Sequence, residues 1–245
     1  MREHWLIIGA SSAVARAFAR QVAAEGALLT LAGRDAADLD AIARDAQLRG
    51  SPLARWVECD VADPRSRANL LAQAVIEDTR LNVLVAAGLM PEQHAMDRDP
   101  EQVSAMIGAT YSGPLNLLQG LAPHLEQQKG GQVVVITSVA GDRGRKKNYL
   151  YGSAKAGLAV YAEGLRARLF DSGANVLVVK PGFVDTAMTW GLPGLFLVSS
   201  PESCAHAIVK ASGAGKNCLY YPRFWMLVLL VIRHIPAGVM KRLNF

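Results

Sequence analysis

Hydrophobic positions along this 245-residue chain gather into short, unbroken runs. Trp5–Ile8, Leu28–Ala32, Ala54–Cys59, Val83–Ala86, Val133–Thr137 and Val176–Val179 are rich in valine, leucine and isoleucine without polar alternation. Such runs predict strands covered on both faces, as in a parallel sheet. Between them the spacing is helical, over Ala13–Glu25, Ala36–Arg49, Pro64–Thr79, Glu101–Gln127 and Tyr151–Ser172. Strand–helix alternation predicts right-handed βαβ units, an α/β chain with a doubly wound parallel sheet. No linker or repeat divides the sequence, so one domain over 1–245 is expected. Beyond Val179 the pattern loosens, broken by Pro181, Pro193, Pro201, Pro222 and Pro236.

Composition narrows the classes. Hydrophobic residues at 51% with 19% charged residues describe a globular chain, not a disordered one. The net charge of +5 is mild, and the one tight basic cluster, Arg143, Arg145, Lys146 and Lys147, lacks interleaved aromatics. No nucleic-acid partner is expected; a solvated basic surface accounts for that cluster as it stands. Cys59, Cys204 and Cys218 are widely spaced and match no metal-ligand pattern, so reduced thiols and a cytoplasmic setting are expected. With a strand beginning by residue 5, no signal peptide is expected. The greasiest stretch, Phe224–Ile232, is nine residues long and ends at Arg233, half the roughly 18 residues a membrane span needs.

Candidate chemistry begins where the first strand ends. Ile7 to Arg20 runs from strand through Gly9-Ala-Ser11-Ser12 into an alanine-rich helix. A helix starting at Ala13 aims free N–H groups and the positive end of its dipole at the strand ends, which suits a pyrophosphate. Only Gly9 stands where such loops carry three glycines; Ala13 and Ala15 hold the other places, and a plain strand–turn–helix also fits. The second strand ends in Gly33-Arg34-Asp35, offering a cation where a ribose 2′-phosphate would sit, with Asp35 better placed as a helix cap. NADP is therefore favoured, with NAD as the alternative. An ordinary exposed arginine is the competing account of Arg34. Asp60 could accept from an adenine amino group or simply shape a turn before Val61.

The strongest constellation lies later. Ser138 follows the fifth strand, and Tyr151-Gly-Ser-Ala-Lys155 opens the next helix, with its tyrosine and lysine four residues apart on one face. A neighbouring ammonium is expected to lower the tyrosine pKa and make it a usable acid or base. Ser138 would hydrogen-bond the reacting oxygen.

On these residues the chain resembles the short-chain dehydrogenase/reductases over essentially its full length. Ser138 stands thirteen residues before Tyr151, Lys155 completes Tyr-x-x-x-Lys, and Pro181-Gly182-x-Val184-x-Thr186 matches the segment that closes on the nicotinamide. The resemblance implies a Rossmann-type fold in which Tyr151 donates a proton to a ketone, Ser138 orients it and Lys155 holds the nicotinamide ribose. It also implies cofactor contacts from Gly9, Ser11, Ser12, Ala13, Val14, Arg34, Asp60, Val61, Ala87, Gly88, Pro181, Gly182, Val184 and Thr186. Departures are visible. Val85-Ala86-Ala87-Gly88 replaces Asn-Asn-Ala-Gly, and Thr110 falls where an asparagine supports a relay water.

A narrower likeness, to the reductases of decaprenylphosphoryl-2-keto-erythro-pentofuranose, rests on Gly141–Arg145, Tyr149–Lys155 and Ile232–Leu243. It implies a lipid-linked keto-pentose reduced at C2, with Arg143 and Arg145 beside the substrate. A general ketone or 3-oxoacyl reductase, and a cofactor-binding sensor or scaffold without turnover, remain as alternatives. Residues 1–180 are expected to form the cofactor-binding and catalytic core. Residues 181–221 form the substrate lid, with Met188, Trp190 and Phe196 lining it, and 222–245 an apolar and basic tail. That tail, from Arg223 on, would rest on the inner face of the membrane or pack in a homo-oligomer.

Overall fold

The computed structural model describes residues 1–190 and 197–243. Its frame is one sheet of seven parallel strands in the order β3-β2-β1-β4-β5-β6-β7. In chain order the elements are β1 (Arg2–Ile8), α1 (Ala13–Ala24), β2 (Leu28–Gly33), α2 (Ala36–Leu48), β3 (Ala54–Glu58), α3 (Pro64–Ala72), β4 (Thr79–Val85), α4 (Gln93–Met96), α5 (Pro100–Ile107) and α6 (Gly113–Gln127). There follow β5 (Gln132–Ile136), α7 (Tyr149–Arg168), β6 (Asn175–Pro181), α8 (Pro201–Gly213), β7 (Cys218–Tyr221), α9 (Phe224–His234) and α10 (Ala237–Met240). Strand order reverses between β1 and β4, which places the crevice of a doubly wound sheet beyond their carboxyl ends.

The unbroken apolar strands are explained by two cores. Trp5 and Ile7 of β1 face α1, α2 and α8, where Phe18, Leu39 and Ile208 are fully buried. Leu6 and Ile8, their alternate neighbours, face α6 and α7 through Leu117, Leu121 and Leu158. Side chains alternate across a strand, so both faces must be apolar.

The structure corrects the element bounds in four places. The helix expected over Pro64–Thr79 stops at Ala72, capped at Gln73, and Asp78, with a left-handed φ of 57°, turns the chain toward the next strand. Thr79 instead starts β4, and its pairing with Arg2 extends β1 backward from Trp5. The expected Glu101–Gln127 helix is divided by a π-helical turn over Gly108–Ser112. The helix expected to run to Ser172 gives way after Arg168 to a 3₁₀ turn over Phe170–Ser172. Finally, the loose region after Val179 contains α8, the sheet-edge strand β7 and α9. β7 is only four residues, too short for a periodic signal, and exists because Cys218–Tyr221 pairs with Val178–Pro181.

Candidate active site

At the carboxyl end of β1 the backbone turns on one glycine. Gly9 has φ +80°, and a Cβ there would lie 2.6 Å from the Ala87 amide nitrogen, so no side chain fits. Its N–H and that of Ala10 both donate to the Ala32 carbonyl, at 2.8 and 3.0 Å. The turn then enters α1 through Ser12, whose hydroxyl accepts from the Ala15 N–H at 3.2 Å. Ala15 is fully buried in the core and Val14 nearly so, which explains why alanine serves where a glycine stood. Val14 can therefore offer a ligand only its backbone, and the first-turn N–H groups of Ala13 and Val14 have no intrahelical partners. The Ser11 hydroxyl is buried without a hydrogen-bond partner among the described residues, beside Gly33.

Arg34 opens a cleft of about 450 Å³ together with Glu58, Asp60, Ser66 and Asn69. Asp35 caps α2, accepting from the Asp38 N–H at 3.0 Å. Asp60 shapes the turn, one carboxylate oxygen accepting from the Ala62 N–H at 2.9 Å, and it lines the same cleft. Val61 is buried in the core, its carbonyl accepting from Arg67.

Ser138, Tyr151 and Lys155 converge beyond β5. A 3₁₀ turn over Val139–Asp142 follows Ser138, whose hydroxyl accepts from the Ala140 N–H at 3.1 Å. α7 lies directly on this turn. A Cβ at Gly152 would come 2.7 Å from the Ala140 carbonyl, and one at Gly141 would come 2.8 Å from the Ala156 amide. Two glycines far apart in sequence thus set the height of Tyr151 above Ser138. Lys155 is 3% exposed, and its ammonium donates to the Ile136 carbonyl at 3.0 Å. Gly88 makes room for it: a Cβ there would be 3.2 Å from Lys155 Nζ. Ala87, just before, is buried against the Gly9 turn.

The electrostatics reverse one expectation. Burial pushes the Tyr151 phenol above the ordinary tyrosine range, and the adjacent Ser138 hydroxyl only partly opposes this. Lys155 does not lower it, because its ammonium turns to the Ile136 carbonyl, 5.8 Å from the ring centre. Burial brings Lys155 itself down to about 8. At neutral pH the pair is a neutral phenol beside an ammonium.

Thr110 is fully buried beside the site. In the π turn, its hydroxyl accepts from the Leu89 N–H at 2.9 Å and donates to the Leu89 carbonyl at 3.0 Å. Its one proton is committed to holding the loop after Gly88, which leaves a lone pair as its remaining hydrogen-bonding capacity.

The Pro181–Thr186 segment leaves the end of β6 beside the tail helix. Pro181 pairs with Tyr221, and the Gly182 N–H donates to the Tyr221 carbonyl at 2.9 Å. A Cβ at Gly182 would fall on the Trp225 indole of α9, so this glycine serves packing by the tail. Val184 is buried, and the Thr186 N–H donates to Thr189 Oγ1 at 3.2 Å. Met188 reaches the site, its sulfur 3.9 Å from the Tyr151 hydroxyl. Trp190 does not; it is 85% exposed. Phe196 lies outside the described residues.

The basic cluster is divided. Arg143 donates to the Ile235 carbonyl at 3.1 Å, a contact with the tail. Arg145 is held below the usual arginine range by burial, with Asp142 opposing, and its Nε–H has no hydrogen-bond partner among the described residues. Lys146 and Lys147 are exposed. Sequence reasoning missed Asp142, whose buried carboxylate accepts from Lys180 at 2.7 Å and from the Tyr220 hydroxyl at 2.6 Å. It ties the Ser138 turn to β6 and β7. No local pattern announces a contact between residues 38 and 78 positions apart.

Residues 3–193 match the short chain dehydrogenase family. An uncharacterized oxidoreductase of Mycobacterium tuberculosis is 33% identical over 239 residues, covering 97% of this chain and 96% of the relative. A solved short chain dehydrogenase/reductase family protein superposes with a TM-score of 0.78 at 29% identity, over 89% of this chain and 94% of that one. A short-chain dehydrogenase from Sphingobium yanoikuyae, in complex with NADPH, shares the fold at a TM-score of 0.82 and 24% identity, covering 99% and 96%. With these matches and a buried Tyr-x-x-x-Lys pair at the switch of a seven-stranded parallel sheet, the chain belongs to the short-chain dehydrogenases and is an oxidoreductase.

Proposed function

We propose that this protein reduces a carbonyl to a secondary alcohol with NADPH. The observation that carries the proposal is the buried, neutral Tyr151 phenol between Ser138 and Lys155. A phenol that keeps its proton at neutral pH suits donation to a carbonyl oxygen, the reductive direction. Ser138 would orient that oxygen. Lys155, protonated below about 8, would hold ribose hydroxyls and favour the phenolate left after proton transfer.

The cofactor's fit rests on this chain's own residues. The partnerless Ser11 hydroxyl and the exposed Arg34 flank Gly33, a donor pair suited to a 2′-phosphate. Gly9, Ser12 and the N–H groups of Ala13 and Val14 would take the pyrophosphate. Asp60 and Val61 would meet the adenine, and Ala87, Gly88, Pro181, Gly182, Val184 and Thr186 the nicotinamide end. NADPH, when bound, supplies the hydride. NAD remains the second coenzyme on one observation, the Glu58 carboxylate lining the same cleft as Arg34.

For the substrate we propose a keto-pentose carried on a polyprenyl phosphate, delivered from the membrane's inner face through residues 223–245. The buried, partnerless Arg145 Nε–H beside the Ser138 turn supports an anionic group near the site. Met188 would line the pocket and 222–245 form the tail, while α8 and β7, within the 181–221 expected as lid, belong to the core and the sheet. Reduction of general ketones or 3-oxoacyl thioesters is the competing reading, favoured by the apolar Met188 contact on Tyr151. A non-catalytic sensor is disfavoured by the intact Ser138, Tyr151 and Lys155. The test offers NADPH with soluble keto sugars, 3-oxoacyl thioesters and polyprenyl-phosphate keto-pentose. The highest kcat/KM is expected for the lipid-linked sugar; preference for the thioester overturns the substrate assignment.

A further inference from the structure

α9 is apolar on both sides. Trp225 and Leu229 are buried against Val139 and Phe183, while Met226, Leu227, Leu230 and Val231 are 51–68% exposed on the other. A helix hydrophobic all round is normally buried or set in lipid. Its 11 residues span only about 16 Å, too short for a hydrocarbon core of about 30 Å, so it can only lie flat.

The charge around this face is one-sided. From Pro222 to the last residue there is no aspartate or glutamate, whereas Arg223, Arg233, Lys241 and Arg242 bracket the apolar surface and are all exposed. Val239 of α10 extends the exposed apolar area between the last three cations. Two-fold pairing of this face with a second copy would set identical cations against each other with no carboxylate to answer them. An anionic lipid surface answers both features at once, taking the side chains into its boundary and the cations at its headgroups.

We infer that α9 and α10 form a docking face for an anionic bilayer surface, with Met226, Leu227, Leu230 and Val231 entering the lipid. This rests on, and sharpens, the membrane-delivered substrate proposed above. The face is joined to the site: Trp225 fills the space left by Gly182, Leu229 packs with Val139 beside Ser138, and Arg143 ties the Ser138 turn to Ile235. Docked α9 therefore sets the Ser138 and Gly182 segments just above the lipid.

The full-length protein is sedimented with phosphatidylcholine vesicles, with and without phosphatidylglycerol. Binding is expected only with the anionic lipid, weakening as salt rises. L227Q/L230Q and R233Q/K241Q/R242Q should each lower vesicle partitioning at least tenfold, while turnover of a soluble ketone stays unchanged. These side chains are exposed, so folding survives and is checked by that turnover. No binding to either vesicle overturns the inference. So does a wild-type dimer in sedimentation equilibrium that L227Q/L230Q dissociates. Vesicle binding needs no turnover, so loss of activity on every carbonyl would sink the reductase proposal and leave the lipid face standing.

Discussion

Two buried bases sit at opposite ends of the sheet, and burial lowers both. Lys155, beyond β5, is brought to about 8; His4, near the amino end of β1, is brought to about 4, mainly by burial with the Arg55 charge assisting. Their surroundings differ. Lys155 stands among Tyr151, Ser138, Gly88 and the Thr110-held loop, at the switch in strand order. His4 contacts Thr30 Oγ1 at 2.9 Å, where Arg55 also donates at 3.0 Å, and its other ring nitrogen has no hydrogen-bond partner among the described residues. A shifted pKa alone therefore does not mark a site. What distinguishes Lys155 is a phenol beside it that can give up a proton, and a crevice in front.

The comparison can be broken most forcefully at Lys155. Lys155→Ala should lower kcat/KM for ketone reduction by roughly 10²–10⁴-fold, measured as NADPH oxidation. In the wild-type enzyme kcat/KM should fall as pH rises through about 8, where Lys155 loses its charge. A rate that stays flat well above that pH removes the lysine from the mechanism.

His4 should behave oppositely. Its folded pKa of about 4 lies below the ordinary histidine value of 6.5, so the unfolded chain binds more protons between those values. Stability should rise with pH over that window by about 3 kcal/mol and be lost as pH falls back through it. Chemical denaturation of His4→Leu should show this slope flattened, with turnover at neutral pH unchanged. Reduced turnover in that variant would erase the contrast with Lys155.

Smaller effects map the rest of the crevice. Arg34→Ala should raise KM for NADPH about tenfold or more and leave NADH nearly untouched; equal losses overturn the 2′-phosphate assignment. Thr110→Val should cost about 1–2 kcal/mol of stability, because the Leu89 N–H and carbonyl lose their partner. Thr110→Ser should restore it. A variant with wild-type stability would mean that the Leu89 clamp does not hold the loop.

The contrast also shows what the amino-acid order makes legible. Six strands were readable because both faces of a parallel sheet require apolar side chains, and Tyr151 and Lys155 because four residues make one helical turn. Asp35 as a cap and Gly9 as the required glycine were readable for the same local reason. β7 was not, being held by β6 rather than by its own pattern. Nor were the seats that position the chemistry: Gly152 on Ala140, Thr110 on Leu89, and Asp142 between Lys180 and Tyr220. Each is made by residues that only folding brings together. The tyrosine's ionisation was misread because proximity to lysine was visible in sequence and burial was not.

The central claim is that the buried Tyr151 phenol delivers the proton to the carbonyl. Tyr151→Phe removes one oxygen and keeps the ring, so NADPH binding, followed by quenching of intrinsic tryptophan fluorescence, should survive. Single-turnover NADPH oxidation with a ketone that the wild type reduces should fall by roughly 10²-fold or more. A variant that binds NADPH normally and still turns over at the wild-type rate would contradict the account.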